Sequence, residues 1–395
     1  MRFPEFSGEW SKYKVSGFLE FFPTNSLSWD QLEYSGNEPL NLHYGLIHNG
    51  LPVQVEVSKD ALPSIKEESF PKKFTICKDG DIAFADASED TNDVGKAVEF
   101  YNCAGKKIVC GLHTIHGRDK LGLTSTGFKG YLFSSKVYHD QIKSIAQGTK
   151  VFSIKASNFD EVILGLPEKE EQGKISRLMM AIDERIETQS KIIEELTTLR
   201  SALCEKCSTQ TGDIYDLSAI LQEVDERSTI VNQYQVLSST VKGIFSQKEY
   251  FNKDIASEDN KGYKVVRRGH IVLSPQNLWM GNINYNGRFD IGIVSPSYKV
   301  YSIKEGFNPI FVASLLRTKK ALYEYMLASE QGASIVRRNL NVEAFMSIRF
   351  RIPEIRQQDS LSMAIASINA KINNEKSVLE LLTKQKFSLL ENMFI

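Results

Sequence analysis

Residues 167–205 read PEKEEQGKISRLMMAIDERIETQSKIIEELTTLRSALCE, and residues 353–391 read PEIRQQDSLSMAIASINAKINNEKSVLELLTKQKFSLLE. The second stretch repeats the first 186 residues later and needs no gap. Identical pairs include Pro167 and Pro353, Glu168 and Glu354, Gln172 and Gln358, Ser176 and Ser362, Leu196 and Leu382, and Leu203 and Leu389. A chain that repeats a long segment after each of two dissimilar segments is built as two half-proteins in tandem.

Both copies have apolar residues at alternating spacings of three and four, which predicts two amphipathic helices. The first stripe contains Ile175, Leu178, Ile182, Ile186, Ile192, Ile193, Leu196, Leu199 and Leu203, and the second contains Leu361, Ala364, Ile365, Ile368, Ile372, Val378, Leu379, Leu382 and Leu389. Polar residues interrupt both stripes at matching positions, Arg185 and Gln189 against Lys371 and Glu375, and such residues often fix the register of paired helices. The equal stripes favour packing of the helices on each other, with packing on ordinary cores as the alternative.

A short apolar run ending in proline precedes each helix, at residues 162–167 and 348–353, and predicts a strand that leads into the helix. The rest of the chain has short β-rich runs between Gly, Pro, Asn and Asp turns. We predict strands at residues 108–110, 131–133, 264–266 and 271–273, and a helix at residues 311–326. The fold class is therefore α+β, with two tandem mixed α/β domains, each followed by a long helix.

The repeat divides the chain into four segments. The first variable domain covers residues 1–166, and the first spacer helix covers residues 167–207. The second variable domain covers residues 208–352, and the second spacer helix covers residues 353–395. Weak correspondence persists between the variable domains, because residues 78–84 resemble residues 267–273 and residues 128–135 resemble residues 307–314.

The composition is that of a globular protein, with 42% hydrophobic and 25% charged residues among 395. No apolar run approaches the roughly 20 residues of a membrane span, and the start has no apolar core typical of a secretion signal. Five unevenly spaced cysteines suit reduced thiols, so we expect a cytoplasmic protein. The net charge is −1, with +3 over residues 211–350 and −2 over residues 1–160, so charge alone does not indicate nucleic acid.

Catalytic patterns are largely missing from the sequence. There is no phosphate-binding GxxxxGK[ST] loop, no GxGxxG opening a helix, no GxSxG, and no Asn/Asp-Pro-Pro-aromatic tetrapeptide of amino-methyltransferases. Cys204 and Cys207 have a metal or redox spacing, but we interpret them as incidental thiols at a helix end. Cys103, Cys110, His113 and His116 lack the spacing of a known zinc module, so we expect no metal. The chain is predicted to recognise rather than catalyse.

Polar and basic residues cluster on predicted loops of both variable domains. Asn and Gln side chains suit adenine edges, and Arg suits guanine or phosphate. For each residue taken alone a solvated turn is the favoured interpretation, but the grouping on loops of both domains predicts a DNA-binding surface. The candidates are Lys106, Lys107, His113, His116, Arg118, Lys120 and Lys129 in the first domain, and Arg267, Arg268, Gln276, Asn277, Trp279, Asn282, Asn284, Arg337, Arg338 and Asn339 in the second.

The order of variable domain, long helix, variable domain and long helix resembles the specificity subunit of type I restriction-modification enzymes. Residues 2–6 with 8–10 resemble the usual opening of that family, and residues 167–172 and 353–358 resemble its Pro-x-x-x-x-Gln entry into the helix. Residues 293–300 resemble a run common in its target-recognition domains. The resemblance covers essentially the whole chain and depends on the architecture, since each motif alone is weak.

This resemblance implies that each variable domain is a target-recognition domain for one half of a bipartite, asymmetric site in double-stranded DNA. The helices would pack as an antiparallel coiled coil that fixes the half-site spacing and binds two modification subunits. We expect Ile182, Ile186, Ile193, Leu196, Ile368, Ile372, Leu379 and Leu382 to lie on these partner-binding helices. S-adenosylmethionine, ATP and Mg²⁺ would belong to the modification and restriction/translocase subunits, with no cofactor on this chain.

Two alternatives come from other functional classes. The chain could be a coiled-coil scaffold that carries two protein- or RNA-binding modules, and then no modification and restriction genes would accompany it. It could instead be a metalloenzyme that uses Cys103, Cys110, His113 and His116, and then the purified protein would contain stoichiometric zinc.

Overall fold

The computed structural model describes residues 2–207, 212–251, 259–331 and 338–395. The chain divides into two compact units, one formed by residues 1–189 with 378–395 and the other by residues 190–377. Each unit therefore contains one mixed α/β domain together with parts of both long helices. No helix within the described ranges combines the length and the apolar character that crossing a membrane requires.

The first mixed domain occupies residues 11–166. Its strands are β1 (Ser11–Lys14), β2 (Leu19–Phe22), β3 (Leu32–Glu33), β4 (Leu40–Leu42), β5 (Gln54–Glu56), β6 (Ser64–Ile65), β7 (Ile82–Ala85), β8 (Ala87–Ser88), β9 (Ala97–Asn102), β10 (Ile108–Cys110), β11 (Thr114–Asp119), β12 (Phe152–Ser153) and β13 (Ile163–Leu166). Its helices are α1 (Val15–Phe18), α2 (Tyr44–His48), α3 (Lys129–Leu132) and α4 (Lys136–Ile145), and the long helix α5 (Lys169–Cys207) follows.

Two sheets form the body of this domain. One has the order β2-β11-β7-β9-β5, and the other has the order β10-β4-β6-β3. All residues of β7 and β10 are buried, which explains why these strands read as continuous apolar runs rather than as an alternating pattern. Strand β11 pairs with both β2 and β7, so that His116 lies opposite Phe22 on one side and Ala83 on the other.

The second mixed domain occupies the described part of residues 213–352. Its strands are β14 (Asp213–Asp216), β15 (Leu221–Glu223), β16 (Leu237–Thr240), β17 (Gly243–Ser246), β18 (Lys264–Arg267), β19 (Ile271–Leu273), β20 (Ile283–Tyr285), β21 (Ile291–Val294), β22 (Lys299–Ile303), β23 (Ser329–Gln331), β24 (Arg338–Leu340) and β25 (Arg349–Ile352). Its helices are α6 (Leu217–Ile220), α7 (Gln247–Phe251), α8 (Pro309–Leu315), α9 (Lys319–Leu327) and α10 (Val342–Met346), and the long helix α11 (Ile355–Asn392) follows. The largest sheet of its described residues has the order β15-β22-β19-β20.

Each mixed domain is closed by its first and last strands. Strand β1 pairs antiparallel with β13, with Ser11 opposite Leu166, and β14 pairs antiparallel with β25, with Asp213 opposite Ile352. The two ends of each domain therefore meet at the start of a long helix. Such a closed segment can vary between its ends without changing the helix to which it is attached.

A buried glutamine anchors each domain to its helix, and it explains the Pro-x-x-x-x-Gln motif. Gln172 donates to the Pro167 carbonyl over 2.8 Å and accepts a hydrogen bond from the Ser125 amide over 2.7 Å. Gln358 donates to the Pro353 carbonyl over 2.8 Å and accepts from the Asn308 amide over 2.9 Å. The same side chain thus satisfies the strand exit and a loop of the domain in both halves.

The two long helices pack together in antiparallel fashion. Ile175, Met179 and Ile182 of α5 share a core with Leu389, Met393 and Phe394 of α11, and Asp183 forms an ion pair with Lys386 over 2.5 Å. In the other unit, Leu203 and Cys207 of α5 share a core with Ile365 of α11, and Arg200 donates to Asn369 over 3.3 Å. Both polar pairs fit one antiparallel register. The predicted α+β class with two packed long helices is confirmed.

Most short elements predicted from sequence are present, but two predictions were wrong. The strands at residues 108–110, 264–266 and 271–273 exist. Tyr131 and Leu132 end α3 and Phe133 caps it, so residues 131–133 form no strand. A run of three buried apolar residues does not distinguish the helical from the strand periodicity. Residues 311–326 form two helices rather than one, and Thr318 caps the second of them.

Candidate nucleic-acid interface

Arg118 and His116 of the first domain converge on one carboxylate. Arg118 donates through Nε and Nη2 to Asp81 over 2.7 Å, and His116 Nε2 lies 2.8 Å from Asp81 Oδ2. Burial raises the pKa of Asp81, but the hydrogen bonds from Arg118 and His116 outweigh that effect and the pKa is lowered. The Arg118 guanidinium lies 4.8 Å from the centre of the Phe22 ring. Asp81 therefore fixes Arg118 at the end of β11, with part of its side chain exposed.

His113 has the most unusual backbone of the predicted residues. Its φ is +54°, in the left-handed region that non-glycine residues seldom occupy. The imidazole is about half exposed, lies 3.1 Å from Asp86 and packs edge-on against Tyr44. Strained backbone of this kind concentrates at functional sites, and it presents the ring of His113 to solvent.

The predicted lysines of the first domain differ in exposure. Lys106 and Lys107 lie in the turn before β10, where Glu38 pairs with the Lys106 ammonium over 3.1 Å. Lys120 is exposed and donates to the Ser16 carbonyl over 3.0 Å. Lys129 is instead buried, 3.2 Å from Glu99. A lysine paired inside the core has no free charge to offer to a phosphate.

Arg267 and Arg268 lie at the end of β18 and form exposed ion pairs. Arg267 binds Glu226 through two nitrogens at 3.0 and 2.6 Å. Arg268 binds Asp290 and also donates to the Gly287 and Arg288 carbonyls. About half of each arginine side chain is exposed. Exposed pairs contribute little free energy, so these guanidinium groups can exchange partners.

Asn282 and Asn284 are interior residues of the second domain. Asn282 exchanges two hydrogen bonds with Ser239, at 2.8 and 3.0 Å. Asn284 donates to Ser239 and Thr240, and Arg317 donates to its side-chain oxygen. Both asparagines are only 4% exposed. Their amides hold the β16–β17 hairpin against β20, and they do not face solvent.

Trp279 and Arg338 form a stacked pair, with the guanidinium 4.6 Å from the ring centre. The Arg338 amide donates to the Gln276 carbonyl over 3.2 Å, which brings β24 to the loop that contains Trp279. The Arg338 Nε is buried and has no hydrogen-bond partner among the described residues. Asn339 is exposed and Asn277 is half-buried, while Arg337 lies outside the described residues. This cluster joins an aromatic ring, a guanidinium group and amide side chains.

Four predicted DNA contacts therefore need correction. His116, Lys129, Asn282 and Asn284 are between 0 and 4% exposed, and a side chain buried to this extent does not reach a base edge or a phosphate. Sequence reasoning missed the residues that organise these sites, namely Asp81, Phe22, Ser239 and Arg317. No sequence signal distinguishes them, because their partners come from distant strands.

The predicted helix residues are mostly covered by the chain itself. Ile182, Ile372 and Leu382 are buried, and Ile186, Ile193, Leu196, Ile368 and Leu379 are half-buried. Larger exposed fractions occur elsewhere on the helices, at Leu199 (55%), Met363 (73%), Leu381 (66%) and Phe387 (71%). Leu199 was predicted to lie in the packed stripe, which its exposure contradicts. The other three are visible in the sequence as apolar residues outside the stripes.

The cysteines at the end of α5 and those of the first domain lie in different surroundings. Cys207 is buried in the core at the end of α5 and Cys204 is half-buried, and burial raises the pKa of both thiols, to about 12 for Cys207. Cys110 and His116 lie near each other, but Cys77 rather than Cys103 or His113 is their close neighbour.

Comparison with known proteins agrees with this architecture. Residues 9–198 match the family model of the type I restriction modification DNA specificity domain. No match was found among curated proteins. A crystal structure of a type I restriction-modification system S subunit from M. genitalium has 15% identity and a TM-score of 0.54, covering 98% of this chain and 96% of that one. A structure described as the basis of complex assembly and conformational transition of the type I R-M system has 11% identity and a TM-score of 0.58, covering 97% of each chain.

The likeness to these solved structures concerns the fold, and the family match concerns the first half of the sequence. Together they confirm the resemblance found in the sequence. Residues 9–198 match the type I restriction modification DNA specificity domain, and the chain has the fold of the solved S subunit from M. genitalium over nearly its whole length.

Proposed function

We propose that the chain reads a bipartite, asymmetric site in double-stranded DNA, with one half-site bound by each mixed domain. The observation that carries this proposal is the combination of identical anchors with different loops. Gln172 and Gln358 attach the two domains in the same way, whereas the exposed residues of the two domains differ in type and arrangement. Two mixed domains with different exposed residues, attached in the same way to the long helices, would bind two different half-sequences.

The contacts with DNA would come from the members of the predicted set that are exposed or half-buried. In the first domain these are Arg118, His113, Lys106, Lys107 and Lys120. In the second domain they are Arg267, Arg268, Gln276, Asn277, Trp279, Arg338 and Asn339. Arginine and amide side chains suit base edges and phosphates, and an aromatic ring suits an unstacked or methyl-bearing base. Arg337 stays a sequence-based candidate.

Ion pairing explains how a chain of net charge −1 could still bind DNA. Several exposed cations are paired with carboxylates, including Lys106 with Glu38 and Arg267 with Glu226. Such pairs dissociate at little cost, so phosphates can replace the carboxylates. The partner subunits would supply the rest of the phosphate contact, and binding should weaken steeply with salt.

The chain would act as the non-catalytic recognition subunit of a larger complex. Two modification subunits would dock on the long helices, bring S-adenosylmethionine and methylate an adenine flipped out of each half-site. Restriction/translocase subunits would bring ATP and Mg²⁺. The exposed apolar residues Leu199, Met363, Leu381 and Phe387 are our candidates for the docking contacts, because large exposed apolar groups on a helix are typical of interaction surfaces.

The test is to sequence the methylated sites in a host that carries this chain with its modification subunit. We expect two different half-sequences separated by a fixed unspecified spacer. A single continuous palindrome would contradict the proposal. A scaffold for protein- or RNA-binding modules would produce no methylation pattern, and its gene would not neighbour modification and restriction genes.

A further inference from the structure

Three buried residues of the first domain place metal-binding atoms close together. Ligand atoms of Cys77, Cys110 and His116 all lie within 4.8 Å of one another. The two sulfur atoms are 3.6 Å apart. Cys77 and Cys110 are 3% exposed and His116 is 0% exposed. The three residues come from a loop, from β10 and from β11, so the fold and not local sequence assembles them.

The hydrogen bonding of His116 is that of a metal-binding histidine. Its Nε2 lies 2.8 Å from a carboxylate oxygen of Asp81, whereas its Nδ1 is buried and has no hydrogen-bond partner within the described part of the chain. Histidines that bind metals commonly donate one ring N–H to a carboxylate, which fixes the tautomer and leaves the other nitrogen for the ion. A buried ring nitrogen without a partner otherwise needs an explanation.

We propose that Cys77, Cys110 and His116 bind a thiophilic divalent cation, with zinc as the first candidate. Asp81 positions the imidazole of His116. Zinc prefers thiolate and imidazole ligands. Tetrahedral geometry with zinc–sulfur bonds of about 2.3 Å requires two sulfur atoms about 3.8 Å apart, close to the 3.6 Å observed. A water molecule takes the fourth position.

The charges of the surrounding residues also balance around such an ion. Two thiolates neutralise a divalent cation, and the neutral imidazole adds no charge. Asp81 is already compensated by Arg118, which it binds through both carboxylate oxygens. The cysteines would bind the ion as thiolates, so metal binding would release their thiol protons.

The position of the cluster gives the ion a structural task. Cys110 belongs to the sheet β10-β4-β6-β3, and His116 belongs to the sheet β2-β11-β7-β9-β5. A shared ion would join the two sheets at β11, the strand that contains both His116 and Arg118. This role does not depend on the proposed DNA-binding function, and its failure would leave that function unaffected.

The experiment measures metal in the full chain purified under reducing conditions. Elemental analysis should find one zinc per chain, and apo protein titrated with Co²⁺ should develop the absorption of tetrahedral cobalt–thiolate coordination at one equivalent. A chelator should lower the melting temperature of the wild-type protein. The wild-type titration requires no variant, so it stays informative even where a variant fails to fold.

Variants then assign the ligands. Cys77→Ser, Cys110→Ser and His116→Ala should each lose the stoichiometric ion and the cobalt absorption, whereas the matched control Cys204→Ser, at the end of α5, should retain both. The inference is overturned if the reduced wild-type chain binds neither Zn²⁺ nor Co²⁺ stoichiometrically, if the Cys77→Ser variant binds them as well as the control does, or if mass spectrometry finds a Cys77–Cys110 disulfide in the protein as purified from cells.

Discussion

The two mixed domains share their attachment and differ in their polar centres. In both, the first strand pairs with the last and a buried glutamine ties the domain to a long helix. In the first domain the carboxylate of Asp81 binds the imidazole of His116 and the guanidinium of Arg118. The second builds a network of amides around Ser239 and a stacked Trp279–Arg338 pair.

This difference separates the parts of the molecule that must match from those that are free to vary. The two copies of the repeat have matching residues where each domain joins its long helix and along the helices themselves. The repeat fails where each domain presents its own side chains. The residues that the repeat does not match are therefore the ones to test for DNA specificity, and those it matches are the ones to test for stability.

The largest effect is expected at the buried Glu99–Lys129 pair of the first domain. Lys129→Met should lower the free energy of unfolding by about 3 kcal/mol, because it leaves Glu99 buried without its cation. Denaturant unfolding of this variant measures the loss. The exposed Lys120→Met variant is the control and should change stability by under about 0.5 kcal/mol. Equal losses in both variants would show that the pair has no special role.

The glutamine anchors should give the next largest effect, and a symmetric one. Gln172→Ala and Gln358→Ala each leave a carbonyl and an amide unpaired, which should cost about 2 kcal/mol in either half. Thermal unfolding of the two variants, with Gln276→Ala as an exposed control, tests the equivalence. A loss confined to one half would break the comparison between the domains.

The stacked pair should affect one half-site only. Trp279→Ala and Arg338→Ala should weaken binding of the second domain's half-site by about 1–3 kcal/mol and leave recognition of the other half-site unchanged. His113→Ala should have the reverse selectivity. Binding of the complex with its modification subunit to DNA mutated in either half measures this. A uniform loss across both halves would indicate phosphate contact or altered folding instead.

A change in the length of the long helices should have the smallest effect on the half-sequence that each mixed domain recognises. A heptad inserted into α5, with a matching heptad in α11, lengthens the pair by about 10 Å, or about three base pairs. The spacer in the methylated site should lengthen while both half-sequences stay the same. Altered half-sequences, found by sequencing methylated sites, would mean that the helices do more than set the spacing.

The two long helices and the attachment of a domain to each could be predicted from the sequence, because repeated apolar spacing and the Pro-x-x-x-x-Gln motif are local signals. The sequence did not predict which polar residues are exposed. Asn282 and Asn284 lie in a run whose composition is that of a polar loop. Both are nevertheless buried, and both form hydrogen bonds with Ser239, which is more than forty positions away in the sequence. Lys129 resembles a surface lysine until Glu99 is placed beside it. Such contacts arise between distant strands and leave no periodic trace.

The most direct test of the central claim is to exchange one domain and sequence the methylated sites. Residues 213–352, from β14 to β25, would be replaced by the corresponding segment of another specificity subunit with a known site, in a host that supplies the modification subunit. The account predicts that one half-sequence changes to that of the donor while the other half and the spacer stay the same. A change in both halves, or a continuous palindrome, would contradict it.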